Sequence, residues 1–187
     1  MSQRNISLLG YALLGLVGEK ARSGYDLRKL FAETALGSFS DSPGAIYPAL
    51  ARLEKQALIR SEVEERAALR RRRVFRLTTR GAKQLRVWLR QAVTRDDIVR
   101  RQGDLMLRFA FLEKELGADA AIGFLKDLRQ QVAGYIPELK NFLQSRQKEM
   151  PLSAMLALDS GIRSYQALLE WAQYGIRLYS RKRKQDL

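Results

Sequence analysis

The segment from Asp41 to Arg60 (Asp-Ser-Pro-Gly-Ala-Ile-Tyr-Pro-Ala-Leu-Ala-Arg-Leu-Glu-Lys-Gln-Ala-Leu-Ile-Arg) constrains the fold most, because it reads as a short helix with one dry face. Ser42 is a residue type that caps a helix start, and Pro43 suits the first helical position, where an N–H would lack a partner anyway. Ile46, Leu50 and Leu53 recur at helical spacing and face a core, which leaves Ser42, Tyr47, Pro48 and Arg52 near the entry end or on other faces. A helix that buries one stripe and presents its N-terminal end has the layout of a recognition helix, whose first residues meet a DNA groove.

The neighbouring segments fit that layout. Ile6 to Val17 is apolar on almost every side and predicts a helix contacted all round, ending at Gly18. A second helix starts at a Ser23 cap, buries Tyr25, Leu27, Leu30 and Phe31, and breaks at Leu36-Gly37-Ser38-Phe39. Two helices joined by a short connection form a helix-turn-helix. From Ile59 the period changes to that of strands, with Ile59, Ser61 and Val63 on one and Val74 to Thr78 on the next. Between them the segment Glu64–Arg73 ends in Arg70, Arg71, Arg72 and Arg73. A hairpin after a recognition helix is a wing, and an arginine-rich tip follows a phosphate backbone or enters a minor groove. The alternative for this run is an exposed charged turn that keeps an edge hairpin from aggregating. Thr78 or Thr79 then caps a helix carrying Ala82, Leu85, Trp88 and Leu89, in which Trp88 reads first as core packing.

Charge follows the same division. The chain carries 34 Lys plus Arg against 20 Asp plus Glu, a formal +14, and residues 1–90 hold 18 of the bases but only 8 of the acids. The positive potential therefore belongs mainly to the half with the helix-turn-helix pattern, where a solvated face alone explains it poorly. Cysteine and histidine are absent, which excludes disulfides, thiol nucleophiles, imidazole bases and nearly all zinc chemistry. No catalytic residue, metal or cofactor is expected. No run of 18 apolar residues and no signal-peptide layout is present, so a cytoplasmic bacterial-type protein that does not engage a membrane is the expectation.

The second half predicts three helices. Ile98, Leu105, Phe109, Leu112 and Leu116 fit one stripe with Gln102 in a seam position, ending at Gly117. Ala121, Leu125, Leu128, Val132, Tyr135, Leu139 and Phe142 fit a second, with a kink expected at Pro137. The third alternates three and four without a miss through Met155, Leu158, Ile162, Tyr165, Leu169, Ala172, Ile176 and Tyr179. A period of 3.5 argues for helices packed lengthwise, without saying whether the partner helix is in the same chain. A symmetric dimer is favoured, with Met155, Leu158, Ile162, Tyr165, Leu169 and Ile176 as its interface. The basic end Arg181-Lys182-Arg183-Lys184 reads as a frayed solvated tail or an auxiliary DNA contact. The expected class is mainly α: a winged helix-turn-helix domain over residues 1–92 and an α-helical dimerisation domain over 93–187.

Ser42 to Glu54 followed by Leu58-Ile59 resembles the third helix of the PadR family of bacterial transcriptional regulators. Gly24-Tyr25-Asp26-Leu27 and Phe75-Arg76-Leu77-Thr78-Thr79-Arg80-Gly81 match on either side, so the resemblance spans residues 6 to about 90. It implies binding to double-stranded operator DNA by a homodimer, with Tyr25, Ser42, Gly44, Tyr47, Arg52 and Arg70 to Arg73 as candidate DNA contacts. It further implies repression relieved by a small, largely aromatic effector, for which Trp88, Phe109, Tyr165 and Trp171 are candidate lining residues where the two halves meet or across the dimer seam. The alternative for those four aromatics is core packing. The long C-terminal half looks like the larger size class of the family, which also contains activators. One departure is Ala57, where the family has glycine before the Leu-Ile pair, so the helix exit is expected to differ locally.

Two other classes compete. Gly15, Gly18 and Lys20 lack the Gly-Lys-Ser/Thr ending of a phosphate loop, and Asp96, Asp97 and Asp104 lie among arginines as ordinary helix-surface pairs, which leaves an enzyme with little support. A basic adaptor that meets acidic proteins or a membrane surface shares the salt dependence of a DNA binder but lacks its preference for one duplex over another.

Overall fold

The fold is that of a computed structural model describing residues 6–34, 36, 43–66 and 70–185, without the side chains of residues 43, 65, 66, 70, 71 and 184. The chain divides into two compact units, Met1–Leu89 and Arg90–Leu187.

The first unit runs α1 (Leu8–Glu19), β1 (Arg22–Ser23), α2 (Gly24–Glu33), a 3-10 turn (Pro43–Ala45), α3 (Ile46–Lys55), β2 (Ile59–Arg66), β3 (Arg70–Leu77) and α4 (Thr79–Leu89). Leu9 to Val17 of α1 are buried without interruption, so this helix is the axle on which α3, α4 and β3 pack. Ser7 caps it by accepting from the Gly10 N–H. Ser23 and Asp26 form a reciprocal capping box at the start of α2. Leu27 and Phe31 of α2 are buried, but Tyr25 is 60% exposed, contrary to the expectation. Tyr25 lies two residues before Leu27, about 200° round the helix from the buried stripe.

The sheet order is β1-β3-β2, all antiparallel. The two-residue strand β1 is too short to show any periodicity and was not legible in the sequence. The four arginines are not at the hairpin tip. They open β3, with Arg70, Arg71, Arg72 and Arg73 opposite Arg66, Glu65, Glu64 and Val63. Thr78 caps α4 by accepting from the Gly81 N–H. A β-carbon on Gly81 would collide with the Leu58 carbonyl oxygen, so glycine is required where α4 crosses the start of the wing.

The second unit contains α5 (Arg95–Arg100), α6 (Gln102–Leu116), α7 (Ala118–Arg146) and α8 (Leu152–Gln185), one more helix than the periodicity predicts. The chain leaves helical geometry at Arg101 (φ −136°, ψ 38°), two residues before Gly103, while the apolar stripe runs on across the break. Thr94 and Asp97 make a second capping box at the start of α5. Pro137 is accommodated inside a continuous α7. The long α7 and α8 pack along each other, burying Leu125, Leu128, Val132, Ile162 and Ala172. Gly175 of α8 lets the two helices approach, since a β-carbon there would lie 2.8 Å from Leu125. Arg108 is buried; its Nη2 donates to the Gln91 carbonyl, and burial lowers its pKa against the opposing pull of Asp97. The basic end is not frayed: α8 continues to Gln185, with Lys182 3.6 Å from Glu113 and Arg183 3.3 Å from Asp119.

The exit of α3 keeps the left-handed turn despite its alanine. Ala57 has φ +55°, its N–H donates to Glu54 O at 2.8 Å, and the Leu58 N–H donates to Leu53 O at 2.9 Å. This pair of bonds is a Schellman motif, which satisfies the last helical carbonyls only if one residue goes left-handed. An alanine there carries a strain of about 1 kcal/mol that glycine does not. Ala57→Gly should therefore stabilise the first unit by about that amount, measured as a higher midpoint in urea or thermal unfolding.

Candidate nucleic-acid interface

The stripe of α3 is sealed: Ile46, Ala49, Leu50 and Leu53 are all buried. This rotation fixes the opposite face in solvent. Tyr47 is 52% exposed on the first turn, and Arg52 is exposed further along. The α-helix begins at Ile46 rather than at Pro43, with the 3-10 turn leading in and Ala45 at the N-cap position. A 3-10 entry meets the first N–H groups with tighter bonds. Ser42 lies outside the described residues. Gly44 is exposed in the 3-10 turn.

Tyr47 is held from below by α2. A β-carbon on Gly24 would lie 2.6 Å from Tyr47 Cε1, so the ring rests directly on the glycine backbone. Tyr25, next to that glycine, carries the Arg28 guanidinium 5.8 Å from its ring centroid. Two exposed tyrosines, one with an adjoining cation, thus belong to the N-terminal ends of α2 and α3. The sequence names both tyrosines as candidate contacts, and Gly24 only as part of the Gly24-Tyr25-Asp26-Leu27 motif, with no sign that it seats Tyr47.

The wing arginines have partners within the unit. Arg72 Nη2 donates to Ser23 Oγ at 2.7 Å and pairs with the Asp26 carboxylate. Arg73 Nη2 donates to Glu54 Oε2 at 2.7 Å, and its guanidinium lies 5.4 Å from the Phe75 ring centroid. Glu54 Oε1 accepts from the Ser61 hydroxyl at 2.6 Å and from the Ser61 N–H at 3.1 Å. The Ser61 hydroxyl first, and Arg73 after it, hold the Glu54 carboxyl below its usual pKa. Arg76 pairs with Glu62 and Glu64 across the hairpin. The side chains of Arg70 and Arg71 lie outside the description.

The four aromatics expected to line an effector site divide between the two units. Trp88 is buried in the first unit, stacked on Tyr11 at 4.3 Å. In the second unit, Tyr165 packs edge-on against Tyr135 and donates to Ile98 O at 3.2 Å. Phe109 and Trp171 do meet, edge-to-face with centroids 5.2 Å apart. They line an open groove of about 330 Å³ between α6 and α8, completed by Tyr174, Gly175 and Leu178 with Glu113, Tyr179 and Lys182 at its polar edge. Tyr179 donates to Glu113 at 2.7 Å, and burial, helped by that carboxylate, pushes its pKa up to about 12.

Of the expected interface residues, Ile162 is only 3% exposed within the single chain, while Met155, Leu158, Tyr165, Leu169 and Ile176 are half-buried. The seam read from the 3.5 period is in large part the seam with α7 of the same chain. A neighbouring face of α8 carries Leu152, Leu156, Tyr174 and Leu178 in the open. Among the described residues no cluster of three His, Cys, Asp or Glu could hold a metal ion, and no helix is long and apolar enough to cross a membrane.

Residues 13–87 match the family model described as the Transcriptional regulator PadR-like family. Similar solved structures include Bacillus subtilis PadR in complex with operator DNA, at 21% identity over 91% of this chain and 98% of that one, with a TM-score of 0.42. The PadR-like transcriptional regulator BC1756 from Bacillus cereus is 24% identical over 96% of this chain and 99% of that one, with a TM-score of 0.44. Bacillus subtilis PadR in complex with p-coumaric acid is 19% identical over 96% and 99%, with a TM-score of 0.43. No curated protein matches the chain.

The seat of Tyr47 makes a stability prediction. Gly24→Ala should destabilise the unit by about 1 kcal/mol, because the added methyl overpacks against the ring. In a Tyr47→Ala background the same change should become neutral or stabilising, since alanine is the better helix former. A double-mutant cycle in urea reads the difference, and equal effects in both backgrounds would mean that the ring does not rest on Gly24.

Proposed function

Because the chain belongs, through residues 13–87, to the PadR-like family of transcriptional regulators, we propose that it reads operator DNA with the N-terminal end of α3 and represses transcription from the bound site. The observation that carries this reading is the exposed Tyr47 on a helix whose other face is fully sealed, in the more basic half of the chain. Tyr25, Ser42, Gly44, Tyr47 and Arg52 are the proposed contacts of the helical part, and Arg70 and Arg71 follow the phosphates from the wing. Backbone N–H groups at the entry of α3 serve as further donors to a phosphate. The family is one of regulators rather than of enzymes, and the cytoplasm, where the DNA is, is the proposed place of action.

The working unit is a homodimer, each protomer serving one half-site. Its proposed interface is α8, with contacts on the open face formed by Leu152, Leu156, Tyr174 and Leu178, because Ile162 is already covered inside the protomer. These residues lie toward both ends of one helix. An antiparallel pairing of two copies about the helix centre therefore covers Leu152 and Leu156 of each with Tyr174 and Leu178 of the other, as two-fold symmetry requires. The groove holding Phe109 and Trp171 is the proposed effector site, taking a small aromatic molecule. Tyr174 and Leu178 border both the groove and the open face, so an occupant biases the pairing of protomers if it prefers one arrangement over the other.

Three measurements check the proposal. Binding to DNA from immediately upstream of the protein's own gene should exceed binding to random duplex, and Tyr47→Ala should lose about tenfold of that affinity, a cost of about 1.4 kcal/mol, without loss of fold. Equal affinity for both duplexes would favour the basic-adaptor reading. Leu156→Asp with Tyr174→Asp should give folded monomers by light scattering; a persistent dimer would put the interface elsewhere. A panel of small aromatic acids and amines should contain a compound that quenches Trp171 emission and weakens operator binding, with Phe109→Ala removing both effects. If the panel moves neither, effector release is withdrawn.

A further inference from the structure

Adjacent arginines of β3 reach two different helices. Arg72 is fastened to the N-terminal end of α2 by Ser23 and Asp26, the two residues of its capping box. Arg73 is fastened to Glu54 in the last turns of α3, and the same carboxylate grips β2 through Ser61. Side chains on neighbouring strand positions project to opposite faces, so one strand end ties both helices of the helix-turn-helix to the hairpin. A guanidinium engaged this way has little net charge to offer a phosphate. Moving it onto DNA would leave Asp26 or Glu54 unpaired beside a polyanion, where like charges repel.

We propose that Arg72 and Arg73 are positioning residues that set the wing against the recognition helix, while the phosphate contacts of the wing come from elsewhere on it. The inference rests on the DNA-reading function proposed above. It separates the arginine run into two tasks that composition cannot distinguish. Arg72 and Arg73 neutralise two carboxylates inside the unit and fix the spacing between α3 and the hairpin, so their contribution appears as sequence preference. A phosphate ligand contributes affinity to every duplex alike and raises the salt dependence.

The test uses the full-length protein, with fluorescence anisotropy on two duplexes of equal length, one from upstream of its gene and one random, between 50 and 200 mM salt. Each phosphate contact contributes about 0.9 to the slope of log K against log salt. For Arg73→Ala and Arg72→Ala the expected result is an unchanged slope and a preference for the upstream duplex reduced about fivefold or more. Glu54→Gln keeps an oxygen for Ser61 but loses the ion pair, and should lower the preference in the same way. The double variant Glu54→Gln with Arg73→Ala should be no worse than Arg73→Ala alone, since both remove one interaction. A slope flattened by about 0.9 per arginine with preference intact would overturn the proposal, as would a Glu54→Gln protein that binds both duplexes more tightly with unchanged preference. Should an alanine variant fail to fold by circular dichroism, Glu54→Gln alone decides by that sign. A wild-type protein with no preference between the duplexes would instead remove the DNA-reading function itself, and the inference with it.

Discussion

The burial of one stripe of α3 against the all-round apolar α1 is the constraint from which the first unit follows. Ile46, Leu50 and Leu53 are almost wholly removed from water, and each buried aliphatic side chain of this size contributes about 1.5–3 kcal/mol. Turning the helix by one residue would draw them out of the core and bring in Tyr47 or Arg52, depending on the direction of the turn. The rotational setting of α3 is thus overdetermined by packing, and the exposed tyrosine is a consequence of it. The same packing explains why the exit must be abrupt. Leu58 and Ile59 are buried immediately after the helix, so the chain has to reverse within two residues, and Ala57 adopts a left-handed conformation to permit it.

Electrostatics in this unit are organised around its carboxylates more than its excess of arginine. Asp26 caps a helix and holds Arg72; Glu54 holds a strand through Ser61 and an arginine through its other oxygen. Most of these pairs are partly exposed, where isolated ion pairs contribute little to stability. Their value is directional. Hydrogen bonds at 2.6–2.7 Å from two sides fix the angle between hairpin and helices more tightly than apolar contact alone.

In the second unit the long pair α7 and α8 satisfies its 3.5 period within the chain, and tyrosine hydroxyls of α8 tie it further to Ile98 of α5 and Glu113 of α6. The period set the packing mode correctly and was silent about the partner. The adjoining face of α8 stays open, and its leucines and tyrosine lie outside the stripe that the spacing picks out.

Much of this architecture was legible in the chain itself. Helix-turn-helix, wing, the helix after the wing and the long C-terminal helices are written in spacing, because hydrophobic period is a local property and burial enforces it. The buried stripe of α3 and the exposure of Tyr47 follow from the same rule. Tertiary structure alone decided what depends on distant partners: that Gly24 seats Tyr47, that β1 pairs with β3, that Arg72 and Arg73 meet Asp26 and Glu54, and that Trp88 stacks on Tyr11 while Phe109 meets Trp171. It also decided the break at Arg101, where Gly103 is a weak local signal inside an unbroken apolar stripe. Sequence spacing states which residues share a face; only the packing of those faces states what each one touches.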